Sequence, residues 1–95
     1  MHTIVTDIAT NEASRYLQQL CKHFGHRFDA TFTPTEGRVP FPTGVCTLQA
    51  GANVLALRLD AESEAEAERL SGVVINHLQR FAFRAPLVVP GWRAA

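Results

Sequence analysis

The 95 residues of this chain make one domain, 1–95, since domains usually run from about 50 to 250 residues. At 46% hydrophobic and 19% charged residues the composition excludes an intrinsically disordered chain. Nine basic and nine acidic side chains cancel, so the chain as a whole has no net positive charge to attract nucleic acid or an anionic membrane.

The chain opens on a predicted strand over 2–9, where β-branched residues are frequent. Thr10 and Asn11 offer N-caps for a first helix over about 11–24. Its apolar residues recur on one helical face: Ala13, Tyr16, Leu17, Leu20, Cys21 and Phe24. Gly25 follows, where a left-handed residue often ends a helix.

A four-strand meander is predicted over about 27–59. Arg27–Thr33 alternates apolar and polar residues, which is typical of a half-buried strand. Short turns rich in proline and glycine separate the following strands, predicted over 38–41, 45–50 and 54–59. Strands joined by turns this short pair in the antiparallel sense.

The second helix is predicted over about 61–83, with Asp60 as its N-cap or Ser63-x-x-Glu66 as an alternative capping box. Its apolar stripe comprises Leu70, Val73, Val74, Leu78 and Phe81. An apolar tail follows over 85–95. We expect this tail to pack back on the domain, since leaving Trp92 in water would forgo about 2 kcal/mol or more of burial.

The predicted order is therefore β-α-β-β-β-β-α, an α+β fold with both amphipathic helices on one face of an antiparallel sheet. A right-handed crossover through the first helix would make the first two strands parallel and the two helices antiparallel. The basic end of the first helix, with Lys22 and Arg27, would then lie near the acidic start of the second.

Neither Cys21 nor Cys46 belongs to a paired motif, and both sit in apolar patterns, so we expect two reduced core thiols. The uncharged stretch Val39–Ala56 is broken by prolines and glycines and cannot cross a membrane. No basic-then-apolar leader opens the chain, and we expect a cytoplasmic location.

Histidines supply the first candidate chemistry. Cys21 and His23 point to opposite sides of a helix and cannot share one ion, whereas His23 and His26 meet only if the chain turns at Gly25. His77 falls within the apolar stripe of the second helix. It is either a core histidine bonded to the backbone or to a strand side chain, or a proton-transfer, haem or metal ligand.

A basic and aromatic group near the end of the chain is the second candidate. Arg80 and Arg84 share a helix face, and with Trp92 and Arg93 they offer either an anion site with an aromatic wall or ordinary surface arginines. The sequence contains no GxSxG nucleophile motif, no glycine-rich phosphate loop after a strand, and no acidic pair with a reason for a raised pKa.

Three segments carry a resemblance to a known family: Arg15-Tyr16-Leu17-x-Gln19-Leu20-Cys21-Lys22-His23-Phe24-x-His26, then Gly37-x-Val39-x-Phe41 with Gly44-x-Cys46-x-Leu48-x-Ala50, then His77-Leu78-x-Arg80-Phe81-Ala82-Phe83-Arg84 with Trp92. Together they resemble the bacterial domain of unknown function 2218. This resemblance implies a fold of the TATA-binding-protein-like, phosphohexomutase C-terminal type. Some members resemble or neighbour siderophore-interacting flavin reductases, which implies a link to iron handling. The chain departs from the family in Ala85, where an acidic residue often follows the arginine.

These observations lead to two hypotheses. The first is a non-enzymatic binding or accessory module linked to iron–siderophore metabolism, with a siderophore-interacting flavin reductase or a second copy of the chain as partner. The second is a small-ligand, metal or haem site, catalytic or not, built on His23, His26 and His77. The candidate ligand-binding residues are Lys22, His23, His26, His77, Arg80, Arg84 and Trp92.

Overall fold

Two helices and six strands make up the fold in the computed structural model, which describes residues 1–95. In chain order the elements are β1 His2–Ala9, α1 Ala13–Phe24, β2 Thr31–Phe32, β3 Glu36–Phe41, β4 Gly44–Ala50, β5 Val54–Ala61, α2 Glu64–Phe81 and β6 Arg93–Ala94. The α+β class and the meander from β2 to β5 are as predicted.

The strands form one sheet in the order β2-β3-β4-β5-β1-β6, and every neighbouring pair is antiparallel. β1 pairs with β5 along its whole length, from His2 opposite Ala61 to Ala9 opposite Val54. α1 therefore starts at the Ala9 end of the sheet and α2 at the Ala61 end. The two helices run in opposite directions, as predicted.

Both helices cover the same face of the sheet. Alternate strand residues that point to this face are buried: Ile8, Val39, Cys46, Leu48, Leu55, Leu57 and Leu59. They join buried residues of α1 and α2 in a single core cluster. The opposite face carries Thr47, Arg58 and other polar residues without a covering element. Neither helix combines the length and the hydropathy that a membrane span requires.

Ser63 is the N-cap of α2, because its side chain accepts a hydrogen bond from the backbone N–H of Glu66. Asp60 was the first choice from the sequence, and that prediction is wrong because β5 continues to Ala61. The Asp60 carboxylate instead accepts hydrogen bonds from Arg58 and Thr3, which lower the pKa of this carboxyl.

The predicted strand over Arg27–Thr33 is reduced to Thr31–Phe32. Its first residues are drawn into turns that prolong the end of α1, where the N–H groups of Gly25 and Phe28 donate to carbonyls of that helix. Gly25 has a right-handed φ of −62°, so the left-handed end predicted there is wrong. The local helical hydrogen bonds outcompete the weak alternation of this segment.

The apolar tail packs back on the domain, as expected, and adds a sixth strand that the sequence pattern did not indicate. β6 pairs with β1, with Ile4 opposite Ala94. Trp92 packs half-buried against the core. The basic end of α1 and the acidic start of α2 lie toward the same end of the sheet, but none of the four ion pairs joins them.

Candidate functional site

The imidazole rings of His23 and His77 lie side by side, where the last turn of α1 meets α2. Their centroids are 4.7 Å apart and the rings are tilted by 43°. The ring of Phe24 lies 4.9 Å from that of His77 and 5.2 Å from that of His23. Because Phe24 is a core residue, the histidine pair rests on a fixed base.

His77 lies at the edge of the buried stripe of α2 and is half-buried, so its predicted place within the stripe is corrected. The fully buried residues of this helix are Ala67, Leu70, Val74 and Leu78. At about 100° per residue, the centre of this arc is roughly 65° away from His77. The predicted stripe included Phe81 as a core residue, which shifted its centre toward His77, but Phe81 is only half-buried.

A hydrogen bond fixes which nitrogen of His77 carries a proton. Nδ1 lies 2.7 Å from the carbonyl oxygen of Val73, one turn back in the same helix. A carbonyl only accepts, so Nδ1 is the donor, and the neutral ring keeps its lone pair on Nε2. The partner is thus the backbone, one of the two alternatives that the sequence left open.

Positive charge surrounds His23. Partial desolvation lowers the pKa of this imidazole from its ordinary value of 6.5, and positive charge on His77, His26 and Arg80 lowers it further. No carboxylate offsets these charges, so the neutral ring is favoured near pH 7. Of the predicted site residues, His23, His26, His77 and Arg80 therefore share one neighbourhood.

No group of three or more histidine, cysteine, aspartate or glutamate side chains is placed to hold a metal ion. The two cysteines are buried and free. Burial raises the pKa of the Cys21 thiol to about 11 and raises that of Cys46 as well, so neither is available as a thiolate.

A cavity of about 660 Å³ opens elsewhere, between the start of α1 and the end of α2. One wall comprises Ala9–Glu12 with Arg15 and Tyr16, and the other is the segment Phe81–Val88. Cavities that hold small molecules usually measure about 300–1,000 Å³, so this one is large enough for an organic ligand.

The rim of this cavity combines exposed apolar surface with an unpaired cation. Phe83 is 72% exposed and Val88 is 83% exposed. The Arg84 guanidinium carbon lies 5.6 Å from the centre of the Phe83 ring, and Arg84 takes part in none of the ion pairs. Arg15 on the other wall is neutralised by Glu12 at 2.6 Å. Arg84 is therefore the free positive charge of the cavity.

The side-chain amide of Gln79 holds the tail wall of the cavity in place. Its Nε2 donates to the carbonyl of Leu87 at 2.7 Å, and its Oε1 accepts from the N–H of the same residue at 2.9 Å. Both backbone groups of Leu87 are thereby satisfied by one side chain.

The remaining predicted residues are spread over other places. Lys22 lines a shallow polar groove on the outer side of α1. Trp92 packs against the core, and Arg93 pairs with Asp7 at 3.1 Å. The four residues Arg80, Arg84, Trp92 and Arg93 thus lie in different surroundings and do not form one anion site.

Sequence reasoning missed Arg15 and Gln79 as residues that shape the cavity. In the sequence, Arg15 looks like an exposed helix residue and Gln79 like a polar residue beside the apolar stripe. The one sequence feature that could have indicated the cavity is the abrupt end of the helix at Ala85–Pro86. Such a stop turns the chain back, which brings the tail within reach of the preceding helical turn.

Comparison with known proteins agrees with this architecture. Residues 5–93 match the model of a family described as an uncharacterized protein conserved in bacteria, DUF2218. The NMR structure of PA4090 from Pseudomonas aeruginosa is similar to this chain with a TM-score of 0.82 and 32% identity, over 98% of this chain and 96% of that one. No curated protein matches.

Proposed function

The chain belongs to the DUF2218 family of uncharacterised bacterial proteins, and from this premise we propose that it is a non-enzymatic binding module of the cytoplasm. Its cavity between the start of α1 and the end of α2 takes a planar, anionic small molecule. No group of three possible metal ligands favours the alternative, a catalytic metal site on His23, His26 and His77.

One observation carries the proposal, the unpaired Arg84 beside the exposed ring of Phe83 at the mouth of the cavity. A guanidinium without a carboxylate partner favours an anion, and a planar one adjacent to an aromatic ring favours a flat ligand that can stack. A ligand that covers an exposed aromatic side chain at a concave site is bound more tightly, because apolar surface is removed from water.

The sequence resemblance suggests the chemical class of the ligand. The family resemblance implies a link to siderophore-interacting flavin reductases, and catecholate siderophores are aromatic and anionic. We therefore assign the cavity to a catecholate group, free or bound to ferric iron, and propose such a reductase as the partner that receives it. Self-association is the alternative partnership.

Isothermal titration with 2,3-dihydroxybenzoate and with its ferric complex tests this function on the full chain. The expected result is 1:1 binding that weakens by about tenfold or more in Arg84→Gln, since a charge-assisted hydrogen bond contributes about 1.5–3 kcal/mol. Phe83→Ala should weaken binding as well, through the loss of the stacking surface.

Arg27→Gln is the matched control. Arg27 also lies over a neighbouring phenylalanine, at 5.9 Å from the Phe28 ring, and makes no ion pair, but it is not part of the cavity. Equal loss of affinity in Arg27→Gln and Arg84→Gln would mean that net charge, and not the cavity, attracts the ligand. If the unmodified protein binds neither 2,3-dihydroxybenzoate nor its ferric complex, the proposal is wrong.

The partnership is tested by adding the module to a siderophore-interacting flavin reductase with a ferric catecholate as substrate. Delivery of substrate predicts a lower KM with kcat unchanged, because only the encounter step is assisted. Size-exclusion chromatography with light scattering measures the mass of the module alone, and a doubled mass would indicate self-association.

A further inference from the structure

We propose that two copies of this chain associate through the uncovered face of the sheet, related by a two-fold axis that pairs Arg38 of each copy with Glu36 of the other. This face lies on the side of the sheet away from both helices, whereas the cavity lies between the start of α1 and the end of α2. The association therefore leaves the cavity free for a ligand and for a reductase.

The side chains of the uncovered face form rows that run across the strands. The register of the sheet places one row of residues directly opposite one another: Thr31, Arg38, Thr47, Arg58, Val5 and Arg93. The neighbouring row lies two residues away along each strand and comprises Glu36, Gln49, Ala56 and Asp7. Two adjoining shallow depressions on this face are lined by members of both rows.

Only one charge of each sign is unpaired among the strand residues of this face. Arg38 and Glu36 are both exposed, and neither takes part in any of the four ion pairs. The other two arginines are each neutralised by an aspartate at 3.1 Å, Arg58 by Asp60 and Arg93 by Asp7. An antiparallel sheet can leave one face in water, so exposure alone does not indicate a partner. The balance of the unpaired charges does, because a surface that carries one of each is complementary to itself.

The positions of these two charges define the symmetry. Both lie on β3, two residues apart and therefore on the same face of the strand. A two-fold axis that runs between the two rows, across the strands, brings each residue of one row over the residue two positions away on the same strand of the second copy. Arg38 then faces Glu36 of the second copy, and Glu36 faces Arg38 in return. In the same way Thr47 faces Gln49, whose amide can form a hydrogen bond with the hydroxyl group.

The remaining members of the rows fit the same arrangement. The long side chain of Arg58 faces Ala56 of the second copy, whose small side chain leaves room for it. Asp7 faces Val5 and enters the interface with Arg93 as its own partner. No charge of the two rows is therefore left buried without a partner, which is the condition under which charged groups tolerate an interface.

The area of the face is that of a weak dimer. Six strands spaced by about 4.8 Å, with up to eight residues each, make a face of roughly 24 by 22 Å. Two copies would together bury roughly 1,000 Å² or somewhat more, which is at the lower end of the range for specific complexes. We therefore expect a dimer that dissociates on dilution.

Size-exclusion chromatography with light scattering, on the full chain and over a series of concentrations, measures this equilibrium. We expect the mass to rise from that of one chain to that of two, with less dimer at high salt because the paired charges are screened. Arg38→Glu and Glu36→Arg should each lower the association constant by about tenfold or more, since like charges then face each other twice.

An equal mixture of these two variants tests the pairing itself. The Arg38→Glu chain carries two acids at these positions and the Glu36→Arg chain carries two bases, so each chain is complementary to the other but not to itself. We expect the mixture to restore a dimer with one chain of each kind, which native mass spectrometry identifies by its mass.

Lys22→Glu is the matched control, because it changes the net charge as Arg38→Glu does but lies on the outer side of α1. Circular dichroism verifies that each variant is folded. A monomer at every concentration, an unchanged dimer in Arg38→Glu, an equal loss in Lys22→Glu, or no dimer in the mixture would each overturn the proposal. Neither Arg38 nor Glu36 lines the cavity, so these masses do not depend on whether the cavity binds 2,3-dihydroxybenzoate.

Discussion

At the residue scale, Gly37 of β3 faces α1 so closely that a methyl group in its place would stand 2.7 Å from Sγ of Cys21 and 3.2 Å from Cδ2 of Leu17. The backbone does not require glycine there, since no residue of the chain has a positive φ. Glycine is needed for the approach of helix to strand. A single missing carbon therefore sets how closely α1 packs on the sheet.

Gly37→Ala should lower the free energy of unfolding by about 1–3 kcal/mol, because the added carbon overpacks a buried contact. Urea denaturation measures the change. The double variant Gly37→Ala/Cys21→Ala should lose less than the sum of the single variants, since removal of Sγ makes room for the methyl group. Strict additivity would contradict this explanation.

Gly72→Ala is the matched control in α2, where an added carbon meets nothing within 4 Å. It should raise the free energy of unfolding by about 0.5–1 kcal/mol through helix propensity alone. A loss of stability in both glycine variants would mean that the spacing at Gly37 is not special.

The lowered pKa of His23 makes the stability of the fold depend on pH. The unfolded chain binds a proton at this imidazole more readily than the folded chain does. Stability is therefore complete above the ordinary pKa of 6.5 and is lost as the pH falls through it toward the lower folded value. Urea denaturation at pH 5 and pH 7.5 should show this loss.

His23→Gln should reduce the difference in stability between these two pH values, because the titrating ring is absent. The lowered pKa of Asp60 acts in the same direction but below its ordinary value of 3.8, outside this window. An undiminished difference in His23→Gln would assign the pH dependence to another group.

At the scale of elements, α2 begins where Ser63 accepts the N–H of Glu66. Ser63→Ala should lower the free energy of unfolding by about 1 kcal/mol, since this N–H loses its acceptor. Asp60→Asn should leave the helix start unchanged and weaken only the contacts with Thr3 and Arg58. Amide hydrogen exchange in the first turn of α2 distinguishes the two variants. Faster exchange in Asp60→Asn would restore Asp60 as the cap.

Gln79 supplies the side-chain hydrogen bonds that join α2 to the tail. Gln79→Leu should speed the amide exchange of Leu87 and lower the free energy of unfolding by about 1 kcal/mol or more, because both backbone groups of Leu87 lose their partner. Gln18→Leu is the control, a partly buried glutamine of α1 bonded only to Ser14. Equal effects would show that the tail is held by its apolar contacts instead.

For the whole molecule, the sequence predicted both helices, the meander and the single covered face, because these follow from local periodicity and short turns. It did not predict β6, whose two residues carry no alternation and whose partner lies almost the whole chain away. The sequence grouped His23 with His77 only as a hypothesis, and the structure brings their rings to 4.7 Å, which helical spacing alone could not establish. Helical spacing shows which way a residue points, but not which residue of another helix it meets.

Strand β1 has consequences for the order of folding. Its partners are β5, more than forty residues later in the chain, and β6, nearly ninety residues later. The hairpins from β3 to β5 close loops of only a few residues, so their entropic cost is small. We therefore expect the meander to form early. Strand β1 then joins the sheet late, between β5 and β6. Pairings between residues far apart in the chain slow folding, so we expect the pairing of β1 with β5 and β6 to be the rate-limiting step.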